Sequence, residues 1–186
     1  MTSIIKVDQI QTLAGAAPTA ADLGINVTGS VLQVVQGSST ATQILASASF
    51  TSTAISASIT PLSSSNKILV FSTIACAAND GGGSEGAYFR LYRNGSHVSA
   101  SAGVDESNRY GMFIGLTGFT GDSDGLTTLS QQHLDSPSST SALTYTIYGR
   151  SYNGVYTASI NRGNQDLNQT YVPRGISTIT LMEIAG

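Results

Sequence analysis

Charge is scarce in this chain. Lys, Arg, Asp and Glu make up 10% of its 186 residues, against about 25% in an average soluble domain. Solubility therefore rests on Ser, Thr and Gly rather than on ions, and such a surface suits close packing against copies of itself or a larger assembly. The eight basic residues are scattered and the net charge is −3, so there is no cationic stripe for a phosphate backbone and no nucleic-acid partner is expected. The single cysteine, Cys76, excludes an intrachain disulfide, and within the apolar run KILVFSTIACAA it reads as a buried thiol. Two histidines and no Cys-x-x-Cys spacing give no basis for zinc, and no cofactor is expected. No apolar run reaches the ~18–20 residues of a bilayer-spanning helix, and MTSIIKVDQI lacks the pattern of a secretory signal. Membrane insertion is not expected, and release from a cell would be by lysis or as part of a particle.

What is present is enough apolar side chain, 40% of residues, to fold one core. Residues 1–29 read differently from the rest. Ile5 and Val7 alternate, then TLAGAAPTAADLGINVTG is too rich in small residues to build a core alone, so this segment reads as an arm. TAADLG suits a single helical turn ordered only by docking. From residue 30 onward the periodicity is that of strands. SVLQVVQ (30–36) opens the domain. AISASIT (54–60) alternates Ile55, Ala57 and Ile59 with hydroxyl residues, the pattern of a strand with one wet face. KILVFSTIA (67–75) is apolar on both faces and belongs at the centre of a sheet. AYFRLYR and HVSASAG flank Asn94-Gly95, and TYTIYGRSY and VYTASIN flank Asn153-Gly154; both read as hairpins on type I′ turns. YGMFIGLTG (110–118), LTTLSQQHL (126–134) and ISTITLMEI (176–184) complete about nine or ten strands, as in an antiparallel sandwich or barrel.

Three stretches invite a chemical reading. His133, Asp135 and Ser136 crowd four positions, but neighbours on an extended chain diverge, and a nucleophilic triad also needs an oriented base and an elbow that are missing. They read as a strand end and the turn after it, and no catalytic residue is assigned. GDSDG (121–125) begins like a calcium loop but lacks the closing Glu; it reads as a turn, with a weak ion site at Asp122 and Asp124 as the alternative. NDGGGSEG (79–86) lacks the Lys and helix of a phosphate loop. It reads as a flexible loop which, with GVDESNRYG (103–111), suits display of recognition residues. The eight tyrosines suit core, subunit interfaces or sugar stacking. Sequons at Asn26, Asn94 and Asn168 are expected to carry no glycan.

IIKVDQIQTLAG, GSVLQVVQ, ISASITPLSSSNKILV, LDSPSSTSALTYTI, ASINRG and GISTITLMEIAG, in this order, resemble a group of small fibre-like structural proteins of tailed bacteriophages from marine and freshwater hosts. The resemblance touches both ends and the middle of the chain. It implies an N-terminal segment attached to the virion, here residues 1–29 with Ile4, Ile5, Val7 and Ile10 docking on other virion proteins, and a trimerising jelly-roll sandwich over residues 30–186. Members of the group are labelled tail fibres, so the function expected first is a short tail fibre or tip that binds the host surface; the display loop, rather than the resemblance, nominates Asp105, Glu106, Asn108, Arg109 and Tyr110 as its contacts and a surface glycan as the ligand. The chain is short for a tail fibre and has no shaft. The alternative is therefore a capsid cement or decoration protein whose arm adds a strand to a shell protein's sheet. A polysaccharide hydrolase, the third reading, needs an acidic pair in a groove, which the sequence does not show.

Overall fold

The strand with two apolar faces, β4 (Lys67–Ala78), organises the molecule. The computed structural model describes residues 15, 28–78, 86–117 and 125–186. Within them β1 (Val31–Ser39), β2 (Gln43–Leu45) and β3 (Thr51–Ile59) precede β4, and β5 (Gly86–Arg93), β6 (Ser96–His97), β7 (Ile114–Thr117), β8 (Thr127–Asp135), β9 (Leu143–Ser151), β10 (Ala158–Ile160) and β11 (Ser177–Ile184) follow it. All pairings are antiparallel, and the described residues contain one 3-10 turn, at Ser99–Ser101, and no α-helix. The protein is an all-β sandwich of two sheets.

The first sheet runs β1-β11-β4-β8. Along one edge of β4, residues 67–73 pair with β11 and residues 76–78 with β10, which in turn carries β2; β8 takes the other edge. The second sheet runs β3-β9-β5, with β6 and β7 sharing the far edge of β5. Counting only the eight longer strands in chain order, the sheets read 1-8-3-6 and 2-7-4-5, an order that fits two Greek keys wrapped as a jelly roll. Between the sheets lie Ile55, Ile68, Val70, Ile74, Phe89, Leu91, Ile147 and Leu181, all essentially inaccessible, each contributing roughly 1.5–3 kcal/mol by leaving water. Cys76 is buried among them as expected, and burial pushes its thiol up to about 12. The sheets close at β1 and β3, where a Cβ on Gly37 would sit 1.9 Å from the Ser56 carbonyl oxygen.

The first Asn-Gly turn forms as the sequence predicts: Asn94 and Gly95 have φ of 49° and 79°, the two positive values of a type I′ turn, and join β5 to a β6 only two residues long. The second hairpin does not form. β9 already has β3 on one edge and β5 on the other, so no edge remains for a returning strand. Instead the Asn153 side chain accepts hydrogen bonds from the N–H groups of Val155 (2.9 Å) and Tyr156 (3.2 Å), an Asx-type turn, and the chain crosses to the other sheet as β10. The predicted strand over 110–118 begins only at Ile114, since Tyr110–Phe113 belong to the preceding loop. β2 was not foreseen; three residues carry too little periodicity to be read.

Two buried polar hubs fix the loops. Asn161, inaccessible and at φ 60°, donates to the Ser39 and Ala41 carbonyls at 2.8 and 3.0 Å and accepts from Ser177 Oγ at 2.7 Å, so one amide ties ASINRG to β1 and β11. Glu183, also inaccessible, receives Gln33 Nε2 (2.5 Å), the Leu62 N–H (2.7 Å) and Asn66 Nδ2 (2.6 Å). Burial raises its carboxyl, but the hydrogen bonds from Asn66, Gln33 and the Leu62 and Ser63 backbone outweigh that and hold it below the ordinary glutamate value.

Candidate functional site

The outer face of the second sheet carries arginine and aromatic side chains in place of the usual small polar ones. On adjacent strands Tyr88 lies opposite Arg150 and Arg90 opposite Tyr148; because directly paired residues share a face, all four project outward. Gly115 of β7 lies opposite Tyr88, and a Cβ there would come within 2.9 Å of Met112 Sδ and 3.2 Å of the Tyr88 ring. Glycine at this point lets the phenol and thioether lie flat on the sheet. Tyr92 stacks on Tyr148 with ring centroids 3.8 Å apart, and His97 lies 5.5 Å from Tyr92. Burial and then the charge of Arg90 depress the His97 imidazole below its ordinary value, which keeps it uncharged at neutral pH.

The arginines interleave with the rings. The Arg90 guanidinium lies 4.5 Å from the Phe50 centroid, and that of Arg150 lies 4.4 Å from Tyr110, 5.7 Å from Phe50 and 5.8 Å from Tyr88. Such contacts contribute about 0.5–2 kcal/mol each, more as water is excluded. The two guanidinium groups differ in their counter-charges. Arg90 is ion-paired with Asp105 and donates to the Gly111 carbonyl at 2.8 Å. Arg150, 5% exposed, donates to the backbone carbonyls of Ser151 (2.9 Å) and Tyr152, and among the described residues no carboxylate lies within ion-pair distance of it.

The loop singled out in the sequence folds onto this platform. Asp105 accepts the Gly111 N–H at 2.6 Å as well as pairing with Arg90, and the backbones of Glu106 and Arg109 exchange hydrogen bonds of 3.0 and 2.8 Å, closing a tight turn. Asp105 and Glu106 therefore shape the loop, while Asn108, Arg109 and Tyr110 line a pocket of about 260 Å³ together with Tyr88, Arg150 and Tyr152. Arg109 is exposed and 4.0 Å from Glu106, a weak pair at the surface. Arg150, Tyr88 and Tyr152 were missed as site residues because they sit in strand text or just after it. The available signal was the placement of Tyr88 and Arg150 on the wet face of their strands, legible only once the register is known.

His133, Asp135 and Ser136 are not assembled into a catalytic arrangement. Asp135 points into the sandwich from the last position of β8 and receives the Tyr145 hydroxyl at 2.6 Å and the Arg93 guanidinium, so it pins one sheet to the other. Burial, then the adjacent carboxylate, hold the Tyr145 hydroxyl protonated far above its usual range, which makes it the donor. Ser136 is exposed and His133 lies beside Val70 across the β4–β8 ladder. Asp135→Asn is expected to lower stability by about 1–3 kcal/mol through weakened hydrogen bonds to Tyr145 and Arg93, measured by thermal or urea unfolding. Lost glycan cleavage with an unchanged melting temperature would instead assign chemistry to that carboxylate. Ile4, Ile5, Val7, Ile10, Asp122, Asp124 and the loop 79–85 lie outside the described residues.

The outer face of the first sheet is different again. Val34 pairs with Met182, Met182 with Leu69 and Leu69 with Leu134, so one apolar row crosses all four strands, roughly 14 Å at ~4.8 Å per strand. Leu32, Phe71 and Ile184 widen it. Val34 is 56% exposed, Leu134 47% and Phe71 39%. Exposed apolar side chains of neighbouring strands thus lie side by side on this face.

No protein-family model and no curated protein matches the chain.

Proposed function

We propose that this is a virion structural protein of a tailed bacteriophage, a short trimeric tail fibre or tip that binds the host surface, attached to the particle by its N-terminal segment. The observation that carries the recognition role is the arginine–tyrosine platform, with its pocket, on the outer face of the second sheet. Rigid strands hold Tyr88 and Arg150 while the 105–111 loop supplies Tyr110, the usual division between scaffold and recognition loop. Tyrosine rings expose large flat faces at low entropic cost and suit the apolar face of a sugar ring. The resemblance to small phage fibre-like proteins supplies the setting.

Assembly falls to the other side of the sandwich. Burying the Val34–Met182–Leu69–Leu134 row against two further copies would remove an exposed apolar band from water, and three-fold closure leaves the platforms facing outward. The same band favours the second reading, a capsid cement protein, in which a shell protein covers it. Labelling of intact particles separates the two: signal on the tail supports the fibre, and signal confined to the head removes it in favour of cement.

A further inference from the structure

We propose that the pocket between Arg150, Tyr110 and Tyr88 takes an acidic sugar, a pyranose bearing a carboxylate such as a hexuronic acid, a specificity that rests on the host-recognition reading above. A charge taken out of water needs a counter-charge or a full set of hydrogen bonds. Arg90 has its carboxylate in Asp105. Arg150, on the same face and as deeply buried, has two backbone carbonyls and three aromatic faces but no carboxylate among the described residues. Its guanidinium carries five N–H donors in a planar fork that matches a carboxylate, and the pocket it lines is where an outside anion can reach it. The second cation at the rim, Arg109, is held only by a 4.0 Å contact to exposed Glu106, so the rim does not cancel the charge within.

The neutral part of the ligand follows from the rest of the lining. Tyr110 is 56% exposed and Tyr152 43%, offering ring faces for stacking, and Asn108 offers an amide that both donates and accepts. At about 260 Å³ the pocket falls just below the roughly 300–1,000 Å³ of sites for drug-sized ligands, which suits one sugar ring of a longer glycan. An anion of one ring's size, flat on one face and hydroxylated at its edge, satisfies all three features.

The test titrates methyl β-D-glucuronide and methyl β-D-glucoside separately into the full chain, followed by NMR, beside a measurement of protein binding to host cells. The glucuronide should bind roughly tenfold tighter than the glucoside, since a charge-assisted hydrogen bond is about twice as strong as a neutral one and a difference of about 1.4 kcal/mol is tenfold in affinity, and added salt should narrow the gap. Arg150→Gln should erase the preference. Should that variant fold poorly, Tyr110→Ala, which removes a ring from over Arg150, should weaken both sugars while the protein still unfolds cooperatively, its melting temperature lowered by only a few degrees. Equal binding of the two sugars, or a preference that survives Arg150→Gln, overturns the acidic specificity and leaves host recognition standing. Binding to cells without binding of either sugar overturns the pocket as the site, and failure to bind sugars and cells alike overturns the recognition reading as well.

Discussion

Glu183→Gln should cost about 2–3 kcal/mol of stability, which in a domain of this size lowers the melting temperature by about 4–12 °C. Three donors converge on the carboxylate: the Leu62 N–H and Asn66 Nδ2 share Oε1, and Gln33 Nε2 meets Oε2. Glutamine supplies one acceptor oxygen and must place an NH₂ against the remaining donor. Gln33 cannot flip to answer it freely, because its amide also donates to the Thr60 carbonyl at 2.8 Å. The pH dependence adds a second signature. Hydrogen bonding holds the folded-state value of Glu183 below the ordinary 4.5, so its stabilisation is present above the unfolded value and is lost as pH falls through the folded one. The wild-type chain should therefore lose stability below about pH 4.5, and the glutamine variant should lack that part of the decline. Unfolding curves between neutral pH and pH 3 check both; equal melting temperatures at pH 7 would remove Glu183 as the anchor of that end of the sandwich.

Leu134→Asp should convert a trimer into a monomer with its fold intact. Leu134 is half exposed in the isolated chain, so the substitution costs little in the monomer, whereas at a closed interface it would bury an unpaired carboxylate in every copy, a penalty of several kcal/mol each. Light scattering should give about three times the 19.1 kDa chain mass for the wild type and a single chain mass for the variant. Ser58→Asp, on the exposed outer side of β3, should leave the trimer unchanged. A trimer that persists in Leu134→Asp would show that the apolar row is not the contact between copies, and a monomeric wild type would contradict the trimer itself.

Strands whose pattern is local were legible in the sequence. The alternation of Ile55, Ala57 and Ile59 marked β3, the two-faced apolar run marked β4 as central, and Asn94-Gly95 marked its turn. Asn153-Gly154 misled because turn chemistry is local while the availability of a strand edge is not; β9 had none to offer. The same limit hid the platform. Tyr88 and Arg150 are sixty-two positions apart and become neighbours only through the β5–β9 register, and the Val34–Leu134 row needs three registers at once. The 105–111 loop was visible because its residue types suit a display loop, but the role of Asp105 as partner to Arg90 was not. His133, Asp135 and Ser136 changed meaning for the opposite reason: proximity in sequence suggested a cluster, and strand geometry turned only Asp135 toward a partner, in the opposite sheet.

The central claim, that the outer face of the second sheet recognises the host, is tested most directly by competition. Excess purified protein added to host cells before infection should slow phage adsorption, and the Tyr110→Ala protein, folded and in the same oligomeric state as the wild type, should fail to do so. Adsorption unaffected by the wild-type protein, or slowed equally by both, would contradict it.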